Sequence, residues 1–371
     1  MVSALLPLLL APFCQGTAPG PAPDPAADPV HWVEFESRLL SSFWGRPIRM
    51  RAGVVLPPDR LPGEEIPACY SIHGFGGSHL EAARRAPGLL RAMAEQGYPR
   101  MAYVFLDASC PFGHHAFADS VNNGPWGTAL VEEFIPELER RFDLPAEPTA
   151  RLLTGHSSGG WSSLWLQIRH PEFFGGVWAT APDPVDFRDF TGVDIYTWRN
   201  AYVDPAGKEV QLVRGPDGSW RMSLREFCAR ELARQGEYGG QMASFDAVFS
   251  PRGEDGRPMP LFDRATGAID PMVARAWQRY DISLILRRDW ARLGPLLRGR
   301  LHVWIGDRDT FRLEGAVRLL QAELERLGSD ADILIVPGRD HGSLFQPHQE
   351  LWPDGLLARI HHEMWRQWAG R

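Results

Sequence analysis

Positive charge is in short supply: 39 Lys and Arg stand against 46 Asp and Glu, a formal net charge of −7. No basic stripe interrupts that balance, which argues against nucleic acid as the main partner. Cysteine is scarce as well. Four cysteines in 371 residues cannot supply a disulfide framework, and Cys69 and Cys110 fall on or near strand-like segments, where cysteine packs as a small hydrophobe. Long apolar runs are missing too: Leu5 to Phe13 is the longest in the N-terminal region and is too short to anchor stably across a bilayer. No internal repeat is evident.

What is present is the composition of a globular enzyme. With 371 residues and 44% hydrophobic content, the chain can bury one large α/β domain plus an additional region, rather than several independent cores. Residues 1–29 stand apart, an apolar stretch followed by small residues and prolines, similar to a secretory signal and linker. Export to the periplasm or the medium is therefore expected. No Lys or Arg precedes the apolar run, and a misassigned start codon would instead leave the protein cytoplasmic.

The most informative segment is Leu152-Leu153-Thr154-Gly155-His156-Ser157-Ser158-Gly159-Gly160. An apolar strand runs into Gly-x-Ser-x-Gly, and Trp161, Leu164, Trp165 and Ile168 then recur at helical spacing until His170-Pro171. Strand, sharp turn and helix are the context of a nucleophile elbow. A serine on such a turn is backed by the helix N-terminus, where an oxyanion gains from amides and dipole. Ser157 is thus the expected nucleophile.

A histidine and an acid follow in the order this architecture requires. Leu301 to Ile305 reads as a buried strand and empties into Gly306-Asp307-Arg308-Asp309-Thr310; Ile333 to Val336 is another strand and opens into Pro337-Gly338-Arg339-Asp340-His341. Between them Leu313, Val317, Leu320 and Leu324 mark one face of a helix, with Gly328 as its cap. His341 would take the proton of Ser157 and hand it to the leaving group, while an acid fixes its tautomer. Asp309 is favoured over Asp307 as that acid, because the loop first spends a glycine and two residues before turning inward.

Donors for the oxyanion are expected from the backbone N–H of Ser158 and from the loop after the strand Ala68 to Ile72. That loop is His73-Gly74-Phe75-Gly76-Gly77-Ser78, with Phe75 N–H as the second donor and Gly74 or Gly76 as the alternatives. No Gly-Lys-Ser/Thr follows it, so it does not read as a phosphate cradle. The loop 110–124, after the strand Ala102 to Leu106, also reaches this edge. His73, Asp119, Asn123 and Trp126 are the expected substrate contacts. His114-His115 does not complete a metal ligand set, so no metal and no cofactor are expected, and His361-His362-Glu363 reads as the surface of a C-terminal helix.

Three segments together resemble a known family: His73-Gly74-Phe75-Gly76-Gly77, Gly124-Pro125-Trp126-Gly127 with Glu133-Phe134-Ile135-Pro136, and Gly155-His156-Ser157-Ser158-Gly159-Gly160. They look like the "putative esterase" group of the α/β-hydrolase superfamily, with its esterase D-type and enterochelin esterase-type enzymes, over residues 44–182 and 298–345. The resemblance implies an α/β-hydrolase fold, a mostly parallel central sheet flanked by helices, with Ser157, His341 and an acid in the 307–309 loop as the triad. About 150 residues separate Ser157 from Asp309, more than compact members of the group use. The chain accordingly divides into a core at 30–182 and 295–371 and an inserted cap or lid at 183–294, with helices at 222–236 and 271–292. The aromatics Phe187, Phe190, Tyr196, Trp198, Tyr202 and Trp220 offer themselves as a pocket lining or as a satellite core.

The expected function is a serine carboxylesterase acting through an acyl-enzyme on a small-molecule or polymer-linked ester. A peptidase of the prolyl-oligopeptidase type shares the triad order, but only about 40 residues precede the first core strands here. A non-catalytic hydrolase-like binding protein would have lost a triad member, and none is missing. An acyltransferase would differ only in its acceptor.

Overall fold

A computed structural model describes residues 28–370; the expected signal segment at 1–29 falls almost entirely outside the described residues. One eight-stranded sheet organises the chain: β1 (His31–Glu36), β2 (Arg49–Val55), β3 (Ala68–Ile72), β4 (Ala102–Leu106), β5 (Arg151–His156), β6 (Gly176–Thr180), β7 (Leu301–Gly306) and β8 (Asp332–Val336). Their order is β1-β2-β4-β3-β5-β6-β7-β8. β2 runs antiparallel to both β1 and β4, and the remaining neighbours are parallel. All five residues of β4 and of β6 are buried. A parallel sheet covered on both faces demands such continuous apolar runs, which is why these strands were readable as unbroken hydrophobic segments.

Register determines which loops meet. Ile72 pairs with Gly155, Gly155 with Ala179, Thr180 with Trp304, and Gly306 with Val336. The loops after β3, β5, β6, β7 and β8 therefore leave one edge of the sheet, the edge where open α/β sheets take their ligands. The helix Ser158–Arg169 packs beneath that edge and is buried along 158–168.

Residues 183–294 connect β6 to β7. The helix expected at 222–236 is Leu224–Gln235, opened by a capping box between Ser223 and Glu226. The single helix expected over 271–292 is instead two, Pro271–Trp277 and Ile282–Leu297. Asp281 breaks it: its carboxylate accepts from Leu284 N and so starts the second helix, while also holding Phe187 N and the Tyr196 hydroxyl. Phe187, Phe190, Phe249 and Trp277 form an aromatic cluster whose ring centroids lie 5.1–5.7 Å apart, within the range of favourable edge and tilted contacts. Phe187, Phe190 and Tyr202 are thus core residues of this region, and Trp220 is partly exposed beside Arg214 and Arg312. The C-terminal helix Leu356–Ala369 also differs from expectation: His361 is buried, 2.7 Å from the Tyr98 hydroxyl and against the Tyr103 ring.

Candidate active site

Ser157 follows directly on β5 with φ 58° and ψ −124°. A non-glycine residue holds such a conformation only when its surroundings over-determine it. Here they do: Ser157 N–H donates to Thr180 O at 3.1 Å, while Ser157 O accepts from Trp161 N and Asp183 N, each at 3.1 Å. The two glycines of the motif allow the crossing of chains. A Cβ on Gly155 would lie 2.1 Å from Gly159 O, and one on Gly159 would lie 2.0 Å from Ile72 O.

The loops after β7 and β8 bring Asp309 and His341 together. Asp309 Oδ2 lies 2.6 Å from His341 Nδ1, and its other oxygen accepts from Phe311 N at 2.8 Å and Leu313 N at 3.4 Å. Asp309 is fully buried. Asp307 turns elsewhere and accepts from Gly338 N at 2.6 Å, tying the two loops to each other. Burial lowers the pKa of His341, but the charge and hydrogen bond of Asp309 together with the charges of Asp183 and Asp340 outweigh it and raise the pKa above the ordinary histidine value. The His156 ring packs 4.2 Å from that of His341. Burial, and the charge of His341, hold His156 well below the ordinary histidine value, so it packs there as a neutral ring.

The glycine loop after β3 approaches the serine through Gly74, where an added Cβ would lie 3.3 Å from Ser157 Cβ. Phe75 follows it immediately, and Ser158 opens the helix on the other side. His73, expected to touch substrate, is buried: Nε2 accepts from Ala108 N at 2.9 Å and Nδ1 lies 2.7 Å from Gly74 O. Asp119 accepts from the amide and hydroxyl of Thr128. Asn123 is buried and its carbonyl accepts the indole N–H groups of Trp44 and Trp126, while Trp126 stacks on His115 at 3.8 Å. The side chains of His73 and Trp126, and the carboxylate of Asp119, therefore serve the scaffold, and none of the four lines the cavity bounded by Ser158 and Asp183. Among the described residues no cluster of His, Cys, Asp or Glu is arranged to hold a metal ion.

The family model described as "Putative esterase" matches residues 46–318. The chain belongs to this esterase family. A curated relative, S-formylglutathione hydrolase of Paracoccus denitrificans (strain Pd 1222), is 30% identical over 156 residues, covering 38% of this chain and 54% of that protein. The chain thus spans about half the length of the curated relative it matches. Among solved structures, a ferulic acid esterase superposes with a TM-score of 0.57 at 14% identity, covering 91% of this chain and 98% of that one. An S-formylglutathione hydrolase from Agrobacterium tumefaciens gives 0.51 at 17% identity, covering 93% and 96%. Both likenesses are of fold, and they agree with the α/β-hydrolase architecture described above.

Two further residues stand at this candidate site. Asp183, just past β6, is buried, and its Oδ1 accepts from Ser157 Oγ at 3.4 Å and from Gln241 Nε2 at 3.5 Å, while Oδ2 accepts from Ser158 Oγ at 2.5 Å. Burial pushes its carboxyl up to about 6 despite these hydrogen bonds. His114 is the second. Its Nε2–H donates to His73 O at 3.0 Å and its Nδ1 accepts from Ala116 N at 3.1 Å, bracing the start of the glycine loop. Burial drives its pKa down to about 3, which keeps the ring neutral and suits one nitrogen donating and the other accepting. Both residues line a cavity of about 10 Å³ with Ala116, Ser158, Trp161 and the helix Gln241–Phe249.

Proposed function

We propose that the protein is a serine carboxylesterase that works through an acyl-enzyme on Ser157. In this reading His341 Nε2 accepts the Ser157 hydroxyl proton as Oγ bonds to the ester carbonyl carbon. The carbonyl oxygen becomes an oxyanion, held by the amides of Ser158 and Phe75. On collapse the carbon–oxygen bond to the alcohol breaks and the leaving oxygen takes the proton from His341. Water then attacks the acyl-enzyme, gives its proton to His341, and the acid departs as Ser157 recovers its proton. Asp309 holds the imidazole with Nδ1–H toward itself and stabilises the imidazolium.

The observation that carries the reading is the 2.6 Å contact of Asp309 with His341 at the same sheet edge as a serine held at φ 58°. Support for a short acyl group comes from the cavity of about 10 Å³ lined by Ser158 and Asp183, room for about one water-sized group. The matched relative is named for a one-carbon acyl group, which is in keeping with that size. Residues 183–294 act in this reading as a cap whose helix Gln241–Phe249 forms the far wall. The test is hydrolysis of p-nitrophenyl esters from acetate to decanoate by the wild type and Ser157→Ala, with aminoacyl-proline anilides alongside. Turnover of acetate that falls steeply with chain length and vanishes in the variant is expected; turnover of anilides alone would replace the esterase with a peptidase.

A further inference from the structure

The cavity lined by Ser158 and Asp183, whose carboxylate lies 3.4 Å from Ser157 Oγ, combines apolar walls with two polar demands that the protein itself leaves poorly met. Ala116, Trp161, Phe245, Val248 and Phe249 supply the walls. Asp183 is the first demand. Its Oδ2 is well bonded to Ser158 Oγ, but Oδ1 holds only two long contacts, at 3.4 and 3.5 Å, and no Lys or Arg is paired with it among the described residues. Trp161 is the second: its indole N–H is buried and has no hydrogen-bond partner. A buried acceptor and a buried donor, each short of a partner, are costly unless a ligand completes them.

We infer that this cavity selects a short acyl group bearing a hydroxyl next to the carbonyl, a 2-hydroxyacyl ester of the glycoloyl or lactoyl kind. The inference rests on Ser157 being the nucleophile. A hydroxyl donates one hydrogen to Asp183 Oδ1 and accepts from Trp161 N–H, so it meets both demands with one group. An ammonium only donates and would leave the indole unanswered; a methyl group would answer neither. The volume of about 10 Å³ admits the hydroxyl alone, a group of about the size of one water, so the carbon that bears it stays outside the cavity. The side is the acyl side, because none of the lining residues belongs to the loops carrying Asp309 or His341, and the leaving oxygen must face His341 to be protonated. Sites built to hydrogen-bond a substrate hydroxyl reject its analogues by large factors, because buried groups are otherwise left unpaired.

Ethyl glycolate and ethyl methoxyacetate separate the hydroxyl from its inductive effect, since the methoxy compound activates the carbonyl similarly but donates no hydrogen bond. With ethyl acetate as reference, the wild type should prefer glycolate to methoxyacetate by about 10²-fold or more in kcat/KM. Asp183→Asn and Trp161→Phe should each bring that ratio down at least tenfold. Loss of acetate turnover in Ser157→Ala tests the underlying esterase reading by itself. A wild-type ratio near one, an unchanged ratio in both variants, or a preference for glycine ethyl ester would overturn the inference. A binding measurement does not depend on turnover: glycolamide should raise the melting temperature of Ser157→Ala more than methoxyacetamide or propanamide at equal concentration. Equal shifts for the three amides would also overturn it.

Discussion

Asp309→Asn is the substitution that most sharply tests how the site is wired. In the native arrangement one carboxylate oxygen serves Phe311 N and Leu313 N, at 2.8 and 3.4 Å, and the other serves His341 Nδ1 at 2.6 Å. Asparagine has a single acceptor oxygen. The two backbone amides cannot change their role, so they retain that oxygen and the amide NH2 turns to His341. Facing a donor, Nδ1 becomes the acceptor and the proton moves to Nε2, which can then no longer take the proton of Ser157. Because Asp309 is completely buried, water cannot rescue the tautomer. The expected loss in kcat is about 10⁴-fold, or about 5.5 kcal/mol of barrier. Asp307→Asn removes only a hydrogen-bond acceptor from Gly338 N and should cost less than about tenfold, in line with the modest worth of such a bond. Steady-state rates on p-nitrophenyl acetate, with melting temperatures to show that both variants fold, give the comparison. An Asp309→Asn enzyme retaining a tenth of its activity, or an Asp307→Asn enzyme that loses as much, would refute the wiring.

The pH profile carries the sign of the His341 shift. The pKa of His341 is raised above 6.5, and the base works only when neutral, so kcat should rise with pH along a limb centred above 6.5; Asp309, Asp183, Asp340 and the neutral His156 ring are the groups that set it. A limb centred below 6.5 would contradict that balance. His114→Ala removes the donor to His73 O and loosens the glycine loop, so kcat should fall by about 10–100-fold, on the scale of a weakened oxyanion donor, with KM for acetate esters little changed; a KM effect alone would make His114 a binding residue instead. Phe249→Ala empties a position 2% exposed among Trp161, Phe187, Trp277 and Tyr280 and should cost about 3–5 kcal/mol in urea unfolding. A loss below 1 kcal/mol would mean that the cluster does not hold this region together.

The parts of the molecule that were legible are those with local causes. β4, β5 and β6 are buried on both sides and so appear as continuous apolar runs, and the elbow needs small residues at fixed offsets, where Gly155 and Gly159 stand. Asp309 and His341 follow strands in an order that the sheet converts into proximity. What escaped depends on contacts distant along the chain. Asp183 looks like one acid among several in a turn-rich stretch, and its role arises only when Gln241, far along the chain, folds back over it. Phe187, Phe190, Tyr196, Trp198, Tyr202 and Trp220 read equally as a pocket lining or a satellite core, and Phe187, Phe190 and Tyr202 are core; the aromatics that line the cavity are Trp161, Phe245 and Phe249, the last two of which escape because Gln241–Phe249 is buried on nearly all sides and gives no amphipathic signal. His361 reads as surface until Tyr98 and Tyr103 cover it. The break between Trp277 and Ile282 depends on Asp281 reaching Phe187 and Tyr196, contacts that no local pattern records.

Covalent trapping tests the central claim most directly. A fluorophosphonate reacts at the activated serine and loses fluoride, and intact mass with peptide mapping locates the adduct. One phosphonyl group on the wild type, carried by Ser157 and absent from Ser157→Ala, is the predicted result. An adduct on another residue, or equal labelling of the variant, would contradict the account.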